Sequence, residues 1–289
     1  MTVFNLGSIN ADYFYQLPHL PGPGETIAAS DMSLGLGGKG ANMSVAIARA
    51  GVRASHIGAV GRDGQWAIDR LVGYGVDVQN VAYLDHPTGH AIVARDPQGE
   101  NQIIIYPGAN VQIGQEQITK ALAQARPGDS LLLQNETNNQ EYCAALGSKK
   151  GLFAAYAAAP FSTEAVRAVL PHLGLLFLNE VEADQLAAAL KQSPAELAIN
   201  DVIVTLGARG CRWFDNRTHT THDFPAIPVT AVDTTGAGDT FTGYVMAGLD
   251  QKMPMPAIIT LATRAAALMV TRHGTADVIP TLAEANSMP

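Results

Sequence analysis

Cysteine is nearly missing: Cys143 and Cys211 are the only two in 289 residues. Two cysteines make no disulfide framework, and neither has metal-ligand spacing, so a reduced, cytoplasmic setting is expected. Long apolar runs are missing too, and none approaches the length of a membrane span. The chain enters Val3-Phe4-Asn5-Leu6-Gly7 with no basic region ahead of it, so no signal peptide is expected. Positive charge is scarce. Eighteen Lys and Arg against 26 Asp and Glu leave a net charge of −8, which excludes a global field for nucleic acid or anionic membrane. An anionic substrate then needs a local site or a cation to offset that field. The eight histidines are scattered, with no pair at metal-ligand spacing. Internal repeats, low-complexity tracts and interdomain linkers are also missing, so a single domain over 1–289 is expected.

What is present is a regular alternation. Residues 3–9 read as a buried strand, and a Pro- and Gly-rich stretch at 18–25 leads into an extended segment reaching Leu36. The stretch 35–42 opens a helix that runs through Ala50, capped by Gly51. A strand at 54–60 and a helix at 63–72 follow. Segments 89–95 and 101–106 flank Asp96-Pro97-Gln98-Gly99, turn chemistry for a hairpin. From Gln115 onward, helices at 115–125, 139–148, 162–170 and 180–190 precede strands at 130–134, 151–156, 173–178 and 201–205. Two short β segments, 211–215 and 218–224, come before apolar helices at 240–249 and 256–270. The expected fold class is α/β: three layers, helix–sheet–helix, around a mostly parallel central sheet. A small β lid built from about 12–36 and 88–107 lies over its ligand edge.

Open α/β sheets bind ligands beyond the carboxyl ends of their strands. The polar residues at those ends are Asn10 and Asp12, Asn135 and Glu136, Asn179 to Glu182, and Thr205 with Gly207 and Gly210. Carboxylates and amides gathered at Glu136, Asn179 and Glu182 suit Mg²⁺ held through water. Glu180 reads instead as a first-turn acid complementing a helix dipole.

Two glycine loops stand out. Gly35-Leu36-Gly37-Gly38-Lys39-Gly40-Ala41-Asn42 opens a helix but fits neither the dinucleotide fingerprint nor the P-loop. Its glycines let a ligand touch main chain, while Lys39 and Asn42 offer polar groups. Asp233-Thr234-Thr235-Gly236-Ala237-Gly238-Asp239 enters a second helix. The amides of Gly236, Ala237 and Gly238 can converge at the positive end of that helix, forming an anion cradle. A carboxylate beside such a cradle suits a phosphoryl group in transfer, with Asp239 taking the proton of the attacking hydroxyl. The same residues also suit a capped helix and a tight turn.

With both loops in this order and spacing, the chain resembles the PfkB carbohydrate kinase family over nearly its whole length. The resemblance implies ATP-dependent phosphorylation of a sugar hydroxymethyl group, with D-ribose as the sugar. Asp239 then becomes the catalytic base, and Gly236, Ala237 and Gly238 the anion hole. Asn10, Asp12, Gly38, Lys39, Asn42 and Glu136 resemble the sugar-contacting set, with Ala91 and Ile103 as lid contacts. Asn179, Thr205, Gly207, Gly210, Gly238 and Thr263 resemble the nucleotide contacts. Glu182 resembles the water-mediated Mg²⁺ residue. Asp233 and the carbonyl of Thr235 resemble part of a monovalent-cation site for K⁺. A homodimer through the lid is implied as well, and pairing would cover exposed strand edges. The chain departs from the family pattern at Tyr156-Ala157-Ala158-Ala159-Pro160, at Thr263-Arg264, and at Val278, where a serine oxygen is usual. A kinase for another sugar or a nucleoside, and a non-catalytic sugar sensor, stay open as alternatives.

Overall fold

Strand β1 (Thr2–Leu6) ends earlier than its apolar run suggests, because the chain must turn where a helix crosses it. A side chain on Gly7 would strike the α-carbon of Gly40, so the two segments touch main chain to main chain. The structure, a computed structural model, describes residues 1–288. After the turn, β2 (Asn10–Gln16) and β3 (Asp31–Gly37) belong to a different sheet, and α1 (Lys39–Arg49) returns to the first one. Asn10 and Asp12 are therefore not a loop at a strand tip, as expected from the sequence. They open a strand.

The chain continues through β4 (Arg53–Gly61), α2 (Gln65–Gly73), β5 (Asp77–Leu84), β6 (Gly89–Arg95) and β7 (Asn101–Tyr106). Next come α3 (Gln115–Leu122), β8 (Ser130–Gln134), α4 (Gln140–Lys149), β9 (Phe153–Ala157), α5 (Thr163–Val169), β10 (Leu175–Asn179), α6 (Glu180–Leu190) and β11 (Asp201–Thr205). Strands β12 (Cys211–Asp215) and β13 (Thr220–Phe224) precede α7 (Ala237–Asp250), α8 (Met255–Met269) and α9 (Leu282–Ser287). The sequence pattern missed β5 and α9. Strand β5 sits at the sheet edge, half-exposed, with no unbroken apolar run. Helix α9 is a six-residue turn set by the Thr281–Glu284 capping box.

The large sheet has the order β13-β12-β11-β10-β9-β8-β1-β4-β5. It is parallel from β11 to β5 and antiparallel at the β12–β13 edge. Side chains alternate across it. Leu132, Ala155 and Ile203 pack with α1, α2, α7 and α8 on one face. Leu131, Leu133, Tyr156 and Val202 pack with α3 to α6 on the other. The order of connection reverses between β1 and β8, which makes the crevice beyond their ends the topological switch point. The small sheet has the order β3-β2-β6-β7, with β2 and β6 parallel.

Helices α1 and α7 cross closely because Gly243 has no side chain. A Cβ there would run into Ala46 and approach the Met43 carbonyl to 2.8 Å. One turn toward the N-terminus of each helix lie Asn42 and Asp239, so this close crossing brings them face to face. No helix among the described residues is long and apolar enough to cross a membrane.

Candidate active site

Asp239 lies in the first turn of α7, a helix that starts at Ala237, three residues before the start expected at Thr240, and it is 7% exposed. Asn42 donates from Nδ2 to its Oδ2 at 2.9 Å. The oxygen of that amide, Asn42 Oδ1, is buried without a partner. A buried amide with an unmet acceptor normally has a missing donor, such as a ligand hydroxyl.

The sugar-side residues converge at the switch point. Asp12 folds its carboxylate over Gly37, at the position a Cβ would take there. Burial, and after it the nearby charges of Glu136 and Asp239, push the Asp12 carboxyl up to about 7. Glu136 comes from the end of β8 and accepts from the Lys39 backbone N–H at 3.0 Å and from the Ser8 hydroxyl. Lys39 is half-buried, and its ammonium is held above its usual range by Asp239 first, with Glu136 and Glu182 adding to it, while burial opposes them. Gly38 has φ of +91°, and a side chain there would meet the Ser8 carbonyl at 2.9 Å. Asn10 Oδ1 accepts from Asn110 Nδ2 at 2.7 Å, which fixes the amide's orientation. In the small sheet, Ala91 pairs with Asp12 and is buried. Ile103 pairs with Val93 instead and is 54% exposed, so the nearer partner of Ala91 is Ile105.

The cradle is only partly free. Gly236, with φ of +76°, caps α7, and the Ala237 N–H donates to the Thr234 carbonyl at 3.3 Å. Among the described residues, the Gly236 and Gly238 N–H groups have no backbone partner. A Cβ built on Gly238 meets nothing within 4 Å, so that face opens into space. The space is a cavity of about 390 Å³ lined by Thr205, Gly207, Gly210, Gly238 and Thr263, with Phe241 and Val229 among its apolar walls. Asn179 is not among its lining residues. Its Oδ1 accepts from the Glu182 N–H at 2.8 Å, and its own N–H donates to Glu182 Oε2 at 2.7 Å. The pair is thus a capping box for α6, which leaves Glu182 Oε1 to other partners. Glu180 pairs with Arg209, whose chain neighbours Ala208 and Gly210 line the cavity.

Asp233 faces Arg95 of β6, with Nη2 and Oδ2 3.6 Å apart. Its Oδ1 accepts from the Thr235 N–H at 2.9 Å. Thr235 itself is exposed, and Val278 contributes no side-chain oxygen to this region.

Several residues had no signal in the sequence. Asn110, in a short turn after β7, accepts from the Ile9 N–H at 2.9 Å as well as holding Asn10. Beneath α1, Gln134 donates to Asn5 at 2.7 Å, and Asn5 donates to Ser44 at 2.8 Å and to the Gly40 carbonyl at 2.8 Å. Ser44 meets His56 Nδ1 at 2.8 Å, and His56 Nε2 reaches the Gly7 carbonyl at 3.0 Å. Burial pushes His56 down to about 4, so the ring is neutral and the chain of bonds reads as Nε2–H donating to Gly7. These partners lie far apart in sequence and on different elements. Only packing joins them.

A buried carboxylate, amides beside it, a polar cluster on one side and an apolar cavity on the other suit transfer of a phosphoryl group between two ligands. Fold and site together define a kinase acting on an alcohol. The chain belongs to the pfkB family carbohydrate kinases, whose family model matches residues 2–282. It is similar to a ribokinase of Haemophilus influenzae, 32% identical over 98% of this chain and 96% of that protein. The solved structure of a Cryptococcus neoformans ribokinase in complex with ADP is similar at 31% identity and a TM-score of 0.83, covering 99% of this chain and 98% of that one. An Arabidopsis thaliana ribokinase complexed with ribose and ATP is similar at 27% identity and a TM-score of 0.87, covering 99% and 97%.

Proposed function

We propose that this protein is an ATP-dependent ribokinase, converting D-ribose and ATP to D-ribose 5-phosphate and ADP. The observation that carries the reading is the position of Asp239, buried and hydrogen-bonded to Asn42 between the Asp12–Glu136 cluster and the cavity behind Gly238. The sugar hydroxymethyl oxygen attacks the γ-phosphorus, the bond to the ADP oxygen breaks, and the hydroxyl proton passes to Asp239. Asn42 holds Asp239 through Oδ2, leaving Oδ1 to face the hydroxyl, and its own unmet Oδ1 accepts from the sugar. Asp12 accepts from two adjacent hydroxyls, with Asn10, Lys39 and the main chain at Gly38 completing the sugar contacts. Ala91 closes over the ring from the small sheet. The Gly236 and Gly238 amides, with Ala237 partly engaged, take the transferring phosphate. Thr205, Gly207, Gly210 and Thr263 flank the nucleotide.

The donor set suits Mg²⁺ carried mainly by phosphate and water. Among the described residues no three or more His, Cys, Asp or Glu cluster as direct ligands, and Glu182 keeps Oε1 outside its capping bond. When bound, the ion would offset charge on the phosphates. A homodimer through the small sheet is supported by Ile103, Ile104, Ile105 and Tyr106, which leave the outer strand β7 exposed on both faces. A cytoplasmic setting agrees with the two buried free thiols.

A coupled ADP-release assay over D-ribose, 2-deoxyribose, fructose and adenosine tests the reading. D-ribose should give the highest kcat/KM. 2-Deoxyribose, which lacks one hydroxyl of the diol, should fall below it. Faster turnover of fructose or adenosine than of ribose overturns the assignment. No ADP release with any of them, alongside intact sugar binding, would favour a sensor.

A further inference from the structure

Asp233 poses a charge problem. Its carboxylate side chain is 10% exposed and sits three residues before Gly236, where a bare negative charge would weaken the cradle's hold on an anion. The resemblance assigns its neutralisation to a monovalent cation, but with Arg95 in place the residues present do not fit that ion. Asp233 Oδ1 is taken by the Thr235 N–H, Oδ2 faces the Arg95 guanidinium, and Val278 offers no oxygen. A second cation beside Arg95 would meet like charge.

Arg95 is also held for this position. It ends β6 on the same face as Ala91 and Val93, two residues apart along the strand. Its guanidinium lies over the Phe14 ring at 4.9 Å, and its backbone carbonyl accepts from the Leu17 N–H at 2.8 Å. Phe14 belongs to β2, the strand that carries Asp12.

We propose that Arg95 supplies, as a fixed part of the chain, the positive charge at Asp233 that a monovalent cation would otherwise bring. It is a positioning residue for the anion cradle, and K⁺ is not required. Because the charge comes from the small sheet, the setting of that sheet over the sugar and the setting of the cradle are linked. This inference rests on the kinase reading for its catalytic arm alone.

The test compares KCl, NaCl and tetramethylammonium chloride at matched ionic strength. Wild-type kcat and thermal midpoint should agree among the three salts to within about twofold and about one degree. Arg95→Met should lose about tenfold in kcat in tetramethylammonium, with a smaller change in KM for ribose. K⁺ should then restore part of that loss and raise the melting midpoint of this variant alone. Arg95→Lys, which keeps the charge, should stay indifferent to K⁺. Activation of the wild type by K⁺ of about fivefold or more overturns the proposal, as does an Arg95→Met enzyme with wild-type kcat in every salt. If no sugar is phosphorylated at all, the melting arm still decides. Equal stabilisation of wild type and Arg95→Met by K⁺ overturns the proposal, and stabilisation of the variant alone supports it.

Discussion

Around Asp12, most of the polar atoms belong to side chains that are themselves held: Asn110 donates to Asn10, and Glu136 accepts from the Ser8 hydroxyl and the Lys39 backbone N–H. Around Gly236 and Gly238 they belong to the main chain, and the walls beyond are apolar. Side-chain networks discriminate, because a ligand lacking one hydroxyl leaves a buried partner unmet. Main-chain amides at a helix mouth hold any phosphate of the right size. The division suits an enzyme that must choose its sugar but accepts a common phosphate donor. Asp239 stands on the seam, tied to the sugar side by Asn42.

The largest effect that would break this comparison comes from the seam itself. Asp239→Asn keeps the shape and can keep the bond to Asn42 through its amide oxygen, so the fold should survive. Turnover should drop by about two to four powers of ten, with ribose affinity measured by calorimetry largely retained. Wild-type turnover in that variant would remove Asp239 from the chemistry.

The sugar side should respond to pH where the phosphate side does not. The Asp12 carboxyl titrates near 7 rather than at its ordinary 3.8, so acid removes the acceptor that the sugar needs. Ribose affinity should weaken by about tenfold for each unit below that value, while ATP affinity changes less. In the sugar-free protein the sign is opposite. A folded value above the unfolded one stabilises at low pH, and this contribution is lost as pH rises through about 7. Melting curves of wild type and Asp12→Asn over this range read that difference directly, and identical slopes would contradict the burial of the charge.

The smallest effect belongs to the phosphate side. Gly238→Ala adds a methyl that touches nothing within 4 Å in the free protein. Stability should stay level or rise by about 0.4–1 kcal/mol, since alanine suits a helix better than glycine. KM for ATP should nevertheless rise about fivefold, because the methyl projects into the cavity mouth. A loss of stability together with an unchanged KM would reverse the roles given to the two sides.

Much of this arrangement could be read along the chain. Short apolar runs alternating with amphipathic helices dictate a layered sheet, because each buried strand must be covered on both faces. Glycine at 236 and 238, with an acid one residue on, marks a helix mouth able to meet an anion, because that signal lies in adjacent residues. The same local logic misread Asn10 and Asp12 as a loop, since nothing nearby reveals that Gly7 must pass against Gly40. It also had no means to find β5, whose edge position removes the usual apolar run.

The pairings that set the site were decided by tertiary structure. Asn42 and Asp239 meet across 197 residues, Asn10 and Asn110 across 100, and Arg95 of the small sheet faces Asp233 in the loop before α7. Periodicity and turn chemistry act over one or two turns of chain, so they determine which elements form and where glycine is needed. Which side chains then touch depends on how closely those elements cross, and here that was settled by a glycine in α7 lying against α1.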